Sequence, residues 1–161
     1  MLLFLESLIG IVLFTSVIVP LVLRDPLASV GDYPPAIRRR CVELGLIEDR
    51  KRRFTNADIA RKTAAMALFV FIFAFVLKNI NGADTFWQGF RDSYLIWLVI
   101  DWYDGLILDC VWFCRSHRVK IPGTEDMPEY QDRWFHIKQS GIGMLLGLPA
   151  CLAVGAVTAM L

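Results

Sequence analysis

Asp101, Asp104 and Asp109 stand in a block, Ser93 to Cys114, that is otherwise apolar and aromatic. Carboxyl groups so spaced are suited to holding a cation, passing a proton or serving as acid and base. At about 100° per residue, Tyr94, Trp97, Asp101, Asp104, Gly105, Leu108 and Trp112 fall on one side of a helix. Asp109 falls at the margin of that face, nearer Asp101 than Asp104. Leu95, Ile96, Val99, Leu106, Ile107, Cys110 and Phe113 occupy the other side, which is fit for lipid.

Transfer energies set what this costs. A central aspartate opposes insertion by about 2.5–3.5 kcal/mol, and each Leu, Ile, Val or Phe returns about 0.3–0.6 kcal/mol. The ten such residues between Leu95 and Phe113 do not clearly offset three acids, so neighbouring helices must cover this one. No Lys, Arg or His is expected at middle depth elsewhere. Lys78 belongs to an outer helix end, within reach of Asp92 or Glu6. A bare carboxylate pair is untenable in hydrocarbon, so Asp101 and Asp104 are expected to be neutral or to hold a cation. That cation is a proton in transit, a metal ion of open identity or a cationic substrate group; the plainer alternative is a hydrogen-bonded structural role. Asp109 is expected at the cytoplasmic exit. Glu6, Tyr94, Thr15 and Ser16 are the supporting polar candidates.

The elements that must position these acids follow from the rest of the pattern. The chain has 161 residues, 56% hydrophobic, with a formal net charge of +1, and its mean hydropathy is +0.50. A soluble domain of this length needs a more polar surface, and the near-zero charge gives no reason to expect a nucleic-acid partner. Four apolar blocks approach or meet the roughly 20 residues that span a bilayer. Helices are the expected spanning form, because a lipid-exposed strand edge leaves backbone groups unpaired. The expectation is an all-α integral membrane protein, a four-transmembrane-helix bundle with spans near 2–23, 56–80, 91–114 and 139–161. Cytoplasmic loops would cover 24–55 and 115–138. Fifteen Lys and Arg fall in those two loops and at Arg61 and Lys62 beside the first, against Lys78 and Arg91 around the remaining connection. By the positive-inside rule both termini are extracytoplasmic, in a cell (inner or plasma) membrane. The first block is expected to stay as a helix rather than be cleaved, since it lacks a basic leading region.

Finer signals mark the connections. Asp32-Tyr33-Pro34-Pro35 predicts a turn opening a short amphipathic cytoplasmic helix, with Ile37, Cys41 and Leu44 on one face and Arg38 to Arg40 between them. Such a helix suits anionic lipid headgroups, although the charges also serve topology alone. Thr55 with Asp58 predicts a capping box, and Phe54 with Ile59 a hydrophobic staple. Asn81-Gly82 predicts the end of the second span. Trp134, Phe135, Trp112 and Phe113 suggest an inner aromatic belt, Trp87 and Phe90 an outer one. Gly143, Gly147, Cys151, Gly155 and Ala159 recur every four residues and predict a close packing stripe, with a homo-oligomer packed through it as the expected assembly. Pro149 is expected to kink that helix.

Asp101-Trp102-Tyr103-Asp104-Gly105 resembles the D-x-x-D-G opening of the CDP-alcohol phosphotransferases, whose acids bind a divalent metal. Leu108-Asp109 stands where that family has A-R, and its second aspartate pair is absent, so the family reading is not adopted. Cys110, Cys114 and His117 would share a helical stripe able to bind a soft metal, though such cysteines are more often packing residues. His117 and His136 are expected at the interface. The leading expectation is a small proton- or cation-coupled transporter or channel subunit. The rival is a membrane-embedded enzyme acting on a lipid or apolar substrate with the same acids, and the third is an accessory membrane subunit. Cofactor and substrate stay open.

Overall fold

The computed structural model describes residues 2–49 and 55–161, and among them every regular element is helical. The five long elements are α1 (Leu2–Arg24), α2 (Pro35–Glu43), α3 (Asn56–Asn81), α4 (Phe86–Tyr103) and α5 (Arg133–Met160). Three of them, α1, α3 and α5, are long and apolar enough to cross a membrane. The 18 residues of α4 include Arg91, Asp92 and Asp101 and fall outside that description. Only Ser7 of α1 is buried in protein. Phe4, Leu5, Ile9, Val12, Leu13 and Val17 are exposed, as they would be towards lipid.

Local chemistry explains the helix ends. At the start of α3, Thr55 Oγ1 accepts from the Asp58 N–H at 3.1 Å, while Asp58 accepts from the Thr55 N–H at 3.2 Å, a capping box. Gly82, at φ +69°, closes α3 in the left-handed conformation that favours glycine. The staple partner Phe54 and the basic run Arg50 to Arg53 lie outside the described residues. α4 starts at Phe86, before the predicted 91, because Gln88 and Thr85 cap its first turn. α5 starts at Arg133, before the predicted 139, because the Asp132 carboxylate accepts from the Phe135 N–H at 3.0 Å. It then runs unbroken through Pro149.

The chain divides into two compact units. The first comprises Met1–Leu8, Lys51–Val99 and Gly143–Leu161. Here α5 packs on α4 along the small-residue stripe. A Cβ on Gly147 would run into the Trp97 indole, and one on Gly155 would lie 2.7 Å from the Phe86 carbonyl oxygen. Trp97 Nε1 donates to the Gly143 carbonyl at 3.1 Å, and Cys151 is buried. Ala159 is exposed. At Gly143, Gly147 and Gly155 the stripe is therefore met by α4 of the same chain. Lys78 pairs with Asp84 at 3.1 Å, and Arg91 with Asp92 at 2.8 Å, so neither predicted partner of Lys78 holds it.

The second unit comprises Ile9–Arg50 and Ile100–Ile142. Its core joins the two polar connections. Ile37 and Cys41 of α2 are 0% exposed and pack with Tyr33, Phe113, Val119 and Tyr130. The apolar face of α2 is thus spent on protein, which removes the hydrophobic half of the headgroup-binding argument. Phe113 likewise belongs to this core and not to an aromatic belt. The Tyr130 hydroxyl accepts from the Ile121 N–H at 2.9 Å and bonds Thr124 Oγ1 at 2.7 Å, satisfying buried polar groups in the turn closed by Gly123.

Candidate functional site

The acids lie in the second unit. Beyond Tyr103 the chain continues from Asp104 to Trp112 in π-helical geometry, and the Phe113 N–H reaches back five residues to the Leu108 carbonyl. That repeat places residues five apart on one face, whereas an α-helix would separate them by about 140°. Asp104 and Asp109 consequently line the same cavity, about 340 Å³ in volume, together with Asp32, His136 and Gln139. Its apolar wall is Phe14, Ile18 and Val22 of α1, and among the described residues no Lys or Arg contributes to the lining.

His136 enters through a close helix approach. Gly105 faces Ser140 so tightly that a Cβ there would collide with the Ser140 hydroxyl. This brings the first turns of α5 against the π-helical stretch. His136 is 2% exposed, and its Nδ1 lies 3.0 Å from Asp109 Oδ2. The ring is held edge-on by Phe113 and Phe135 at 5.2 and 5.3 Å. Its Nε2 is buried with no hydrogen-bond partner among the described residues. With Nδ1–H donating to the carboxylate, Nε2 is left as a proton acceptor. Asp32 closes the cavity from the turn Val30–Asp32, which is fixed by the Tyr33 hydroxyl donating to the Val119 carbonyl at 2.9 Å. Partial burial, and then the Asp109 charge, push the Asp32 pKa above its ordinary value.

The other predicted residues sit elsewhere. Asp101 does not line the cavity, and its Oδ2 is buried without a hydrogen-bond partner among the described residues. Thr15 donates to the Tyr103 hydroxyl at 3.4 Å, and Ser16 bonds the Val12 carbonyl in its own helix. In the first unit, Tyr94 donates to the Met144 carbonyl at 3.4 Å and Glu6 accepts from Asn81 at 2.9 Å. None of these four reaches an aspartate of the site. The structure brings Asp104 and Asp109 together, leaves Asp101 apart, and adds Asp32, His136 and Gln139. His136 is a buried partner of Asp109 and not an interfacial side chain. One signal for it was present: an acid near an inner helix end without a cationic neighbour, opposite a lone histidine at the next helix start.

The cysteine stripe does not form. Cys110 Sγ donates to the Arg133 carbonyl at 3.6 Å, the helix ends at Arg115, and His117 lies in a separate turn, His117–Val119. Among the described residues no three His, Cys, Asp or Glu side chains converge closely enough to hold a metal ion. What the arrangement offers is proton transfer among carboxyl groups and one imidazole. Comparison with protein-family models, with curated proteins and with solved structures returns no match for this chain.

Proposed function

We propose that this is a cell-membrane protein of four spans, both termini extracytoplasmic, whose Asp104, Asp109 and His136 exchange protons in a proton-coupled transporter or channel subunit. The observation that carries the reading is a cavity lined by three carboxyl groups and a histidine, with no Lys or Arg among the described residues of its lining. Asp109 and His136 form a donor–acceptor pair that one proton satisfies, and Asp104 is the adjoining acid to which a proton can pass. Asp101, about a turn further out with an unpartnered oxygen, extends the series along the helix. For the fourth span, α4 and its π-helical continuation together run from Phe86 to Trp112, beyond the roughly 20 residues a bilayer demands. Only residues 82–85 join α3 to α4, which favours antiparallel neighbours.

Proteoliposomes with a trapped pH dye test this. An imposed proton gradient should dissipate through the wild-type chain. Asp104→Asn and Asp109→Asn should slow it by at least about tenfold, the loss of a proton-carrying group. Wild-type vesicles no leakier than empty ones would overturn the proposal, as would unchanged flux in both variants.

A second reading has its own support. An aspartate that orients a histidine, in a cavity with an apolar wall of Phe14, Ile18 and Val22, also suits general base catalysis on an amphipathic substrate. In that enzyme His136→Asn would abolish turnover while proton flux stayed at the empty-vesicle level.

A further inference from the structure

A second cavity in the second unit, about 500 Å³ in volume, is lined by Cys114, Arg115, His117, Lys120, Gln131 and Arg133. It shares no lining residue with the acidic cavity. Three permanent cations and a histidine surround it, and among the described residues no acid contributes to its wall. Gathering like charges around one space is unfavourable unless something opposes them.

The chain fixes this arrangement in place. The π-helical stretch gives way to the turn Phe113–Arg115, and Ser116, extended, caps the next turn by accepting from the Arg118 N–H at 3.3 Å. Val119, Ile121 and Tyr130, at most 2% exposed, anchor the segment between the cations in the core. Lys120 Nζ donates to the Glu125 carbonyl at 2.6 Å and lies 5.6 Å from the centre of the Tyr130 ring. The nearby acids are engaged with backbone: Glu125 accepts from the Gly123 N–H at 2.7 Å, and Asp132 from the Phe135 N–H at 3.0 Å. Among the described residues no ion pair engages Arg115, His117 or Arg133.

We propose that this basic cavity binds a phosphate group, with Arg115 and Arg133 as its principal ligands and Lys120 as a fixed point charge. Guanidinium forks match phosphate oxygens in pairs, which lysine alone does not. The phosphate has two chemical sources. Trp134 beside Arg133 is exposed and carries Lys138 over its ring at 5.5 Å, an anchor suited to the headgroup layer and so to an anionic lipid. The cavity is equally open to a soluble phosphate.

The test is calorimetric titration of the full chain in neutral detergent with two probes, short-chain phosphatidylglycerol and inorganic phosphate. Short-chain phosphatidylcholine is the zwitterionic control. Binding of at least one probe is expected, weakened at least about tenfold in Arg115→Gln/Arg133→Gln, the loss of one charge-assisted contact or more. Phosphatidylglycerol alone identifies a lipid headgroup; inorganic phosphate identifies a soluble ligand. Arg38→Gln/Arg39→Gln, which removes equal charge from α2, should leave the affinity unchanged. If the double variant does not fold, Arg115→Glu, at an exposed side chain, takes its place. Binding of neither probe overturns the proposal. So does binding that survives the Arg115 and Arg133 changes, or that falls equally with those at Arg38 and Arg39.

Discussion

A histidine with one nitrogen on a carboxylate and the other unpartnered makes the candidate site directional. Asp109 orients the ring, Phe113 and Phe135 hold it edge-on, and Nε2 is the atom left to take or give a proton. Asp32 at the same cavity has a separate consequence for stability. Its pKa is raised in the folded chain, so the fold holds that proton to a higher pH than the unfolded chain does. Stability is therefore lost as pH rises from the ordinary value of 3.8 through the raised one, and the full cost persists above it. Asp32→Asn removes the cost. Its melting temperature at pH 7 should exceed the wild type's by about 2 °C, a small shift because the side chain is solvent-exposed. At pH 3, where Asp32 is neutral in both states, the two should melt together. A gain of equal size at both pH values would show that charge is not the cause.

At the scale of elements, packing decides what pattern alone left open. A Cβ added at Gly155 would lie 2.7 Å from the Phe86 carbonyl oxygen and 3.1 Å from the Phe90 nitrogen of α4, and backbone cannot rotate away. Gly155→Ala should cost about 1–3 kcal/mol, the penalty of an overpacked contact. Gly141 in the same helix has nothing within 4 Å of its would-be Cβ. Gly141→Ala should be neutral or stabilising by up to about 1 kcal/mol. Unfolding of both variants in a graded denaturing detergent checks the contrast, and equal losses would mean α4 does not cover the stripe. The same reasoning separates two roles for α2. Because Ile37 is fully buried, Ile37→Ala should cost about 2–5 kcal/mol. Arg39→Ala, at an exposed position, should stay within about 0.5 kcal/mol. A helix lying on headgroups would show the reverse weighting, with vesicle binding governed by the arginine.

These cases mark how far the sequence reached. The start of α2 and both ends of α3 were legible, since Pro35, Thr55 with Asp58, and Gly82 are signals carried by adjacent residues. The apolar stripe on α5 was legible as a stripe, but spacing does not say whether Trp97 or another molecule fills it. The π-helical stretch was not legible: a constant 100° per residue puts Asp109 at the edge of the face, and only a five-residue repeat stacks it on Asp104. Asp32 and His136 were missed as site residues for a related reason. They stand more than 100 positions apart in the chain, and the packing that brings them to one cavity comes from the Tyr33–Val119 and Gly105–Ser140 approaches, which leave no local pattern.

For the whole molecule, the question with most consequence is whether the segment of α4 crosses the membrane, because three spans and four place the second basic connection on opposite sides. With α1, α3 and α5 alone crossing, residues on either side of α4 share one compartment. With α4 crossing as well, they are separated. Charge favours the latter: Arg115, Arg118, Lys120, Arg133 and Lys138 follow α4, while only Lys78, near the end of α3, and Arg91, near the start of α4, flank the connection before it. All four native cysteines are buried, and replacing them with serine or alanine gives a background for labelling. Asp84→Cys, at an exposed side chain before α4, should react with a membrane-impermeant maleimide on intact cells. Asp126→Cys, exposed in the second connection, should react only after permeabilisation. Leu161→Cys should again react from outside, since α5 then returns the chain to the outer side. Labelling of Asp84→Cys and Asp126→Cys under the same condition would leave α4 at the surface. The acid cluster would then lie in water, where carboxyl groups beside a histidine need no proton path to explain them.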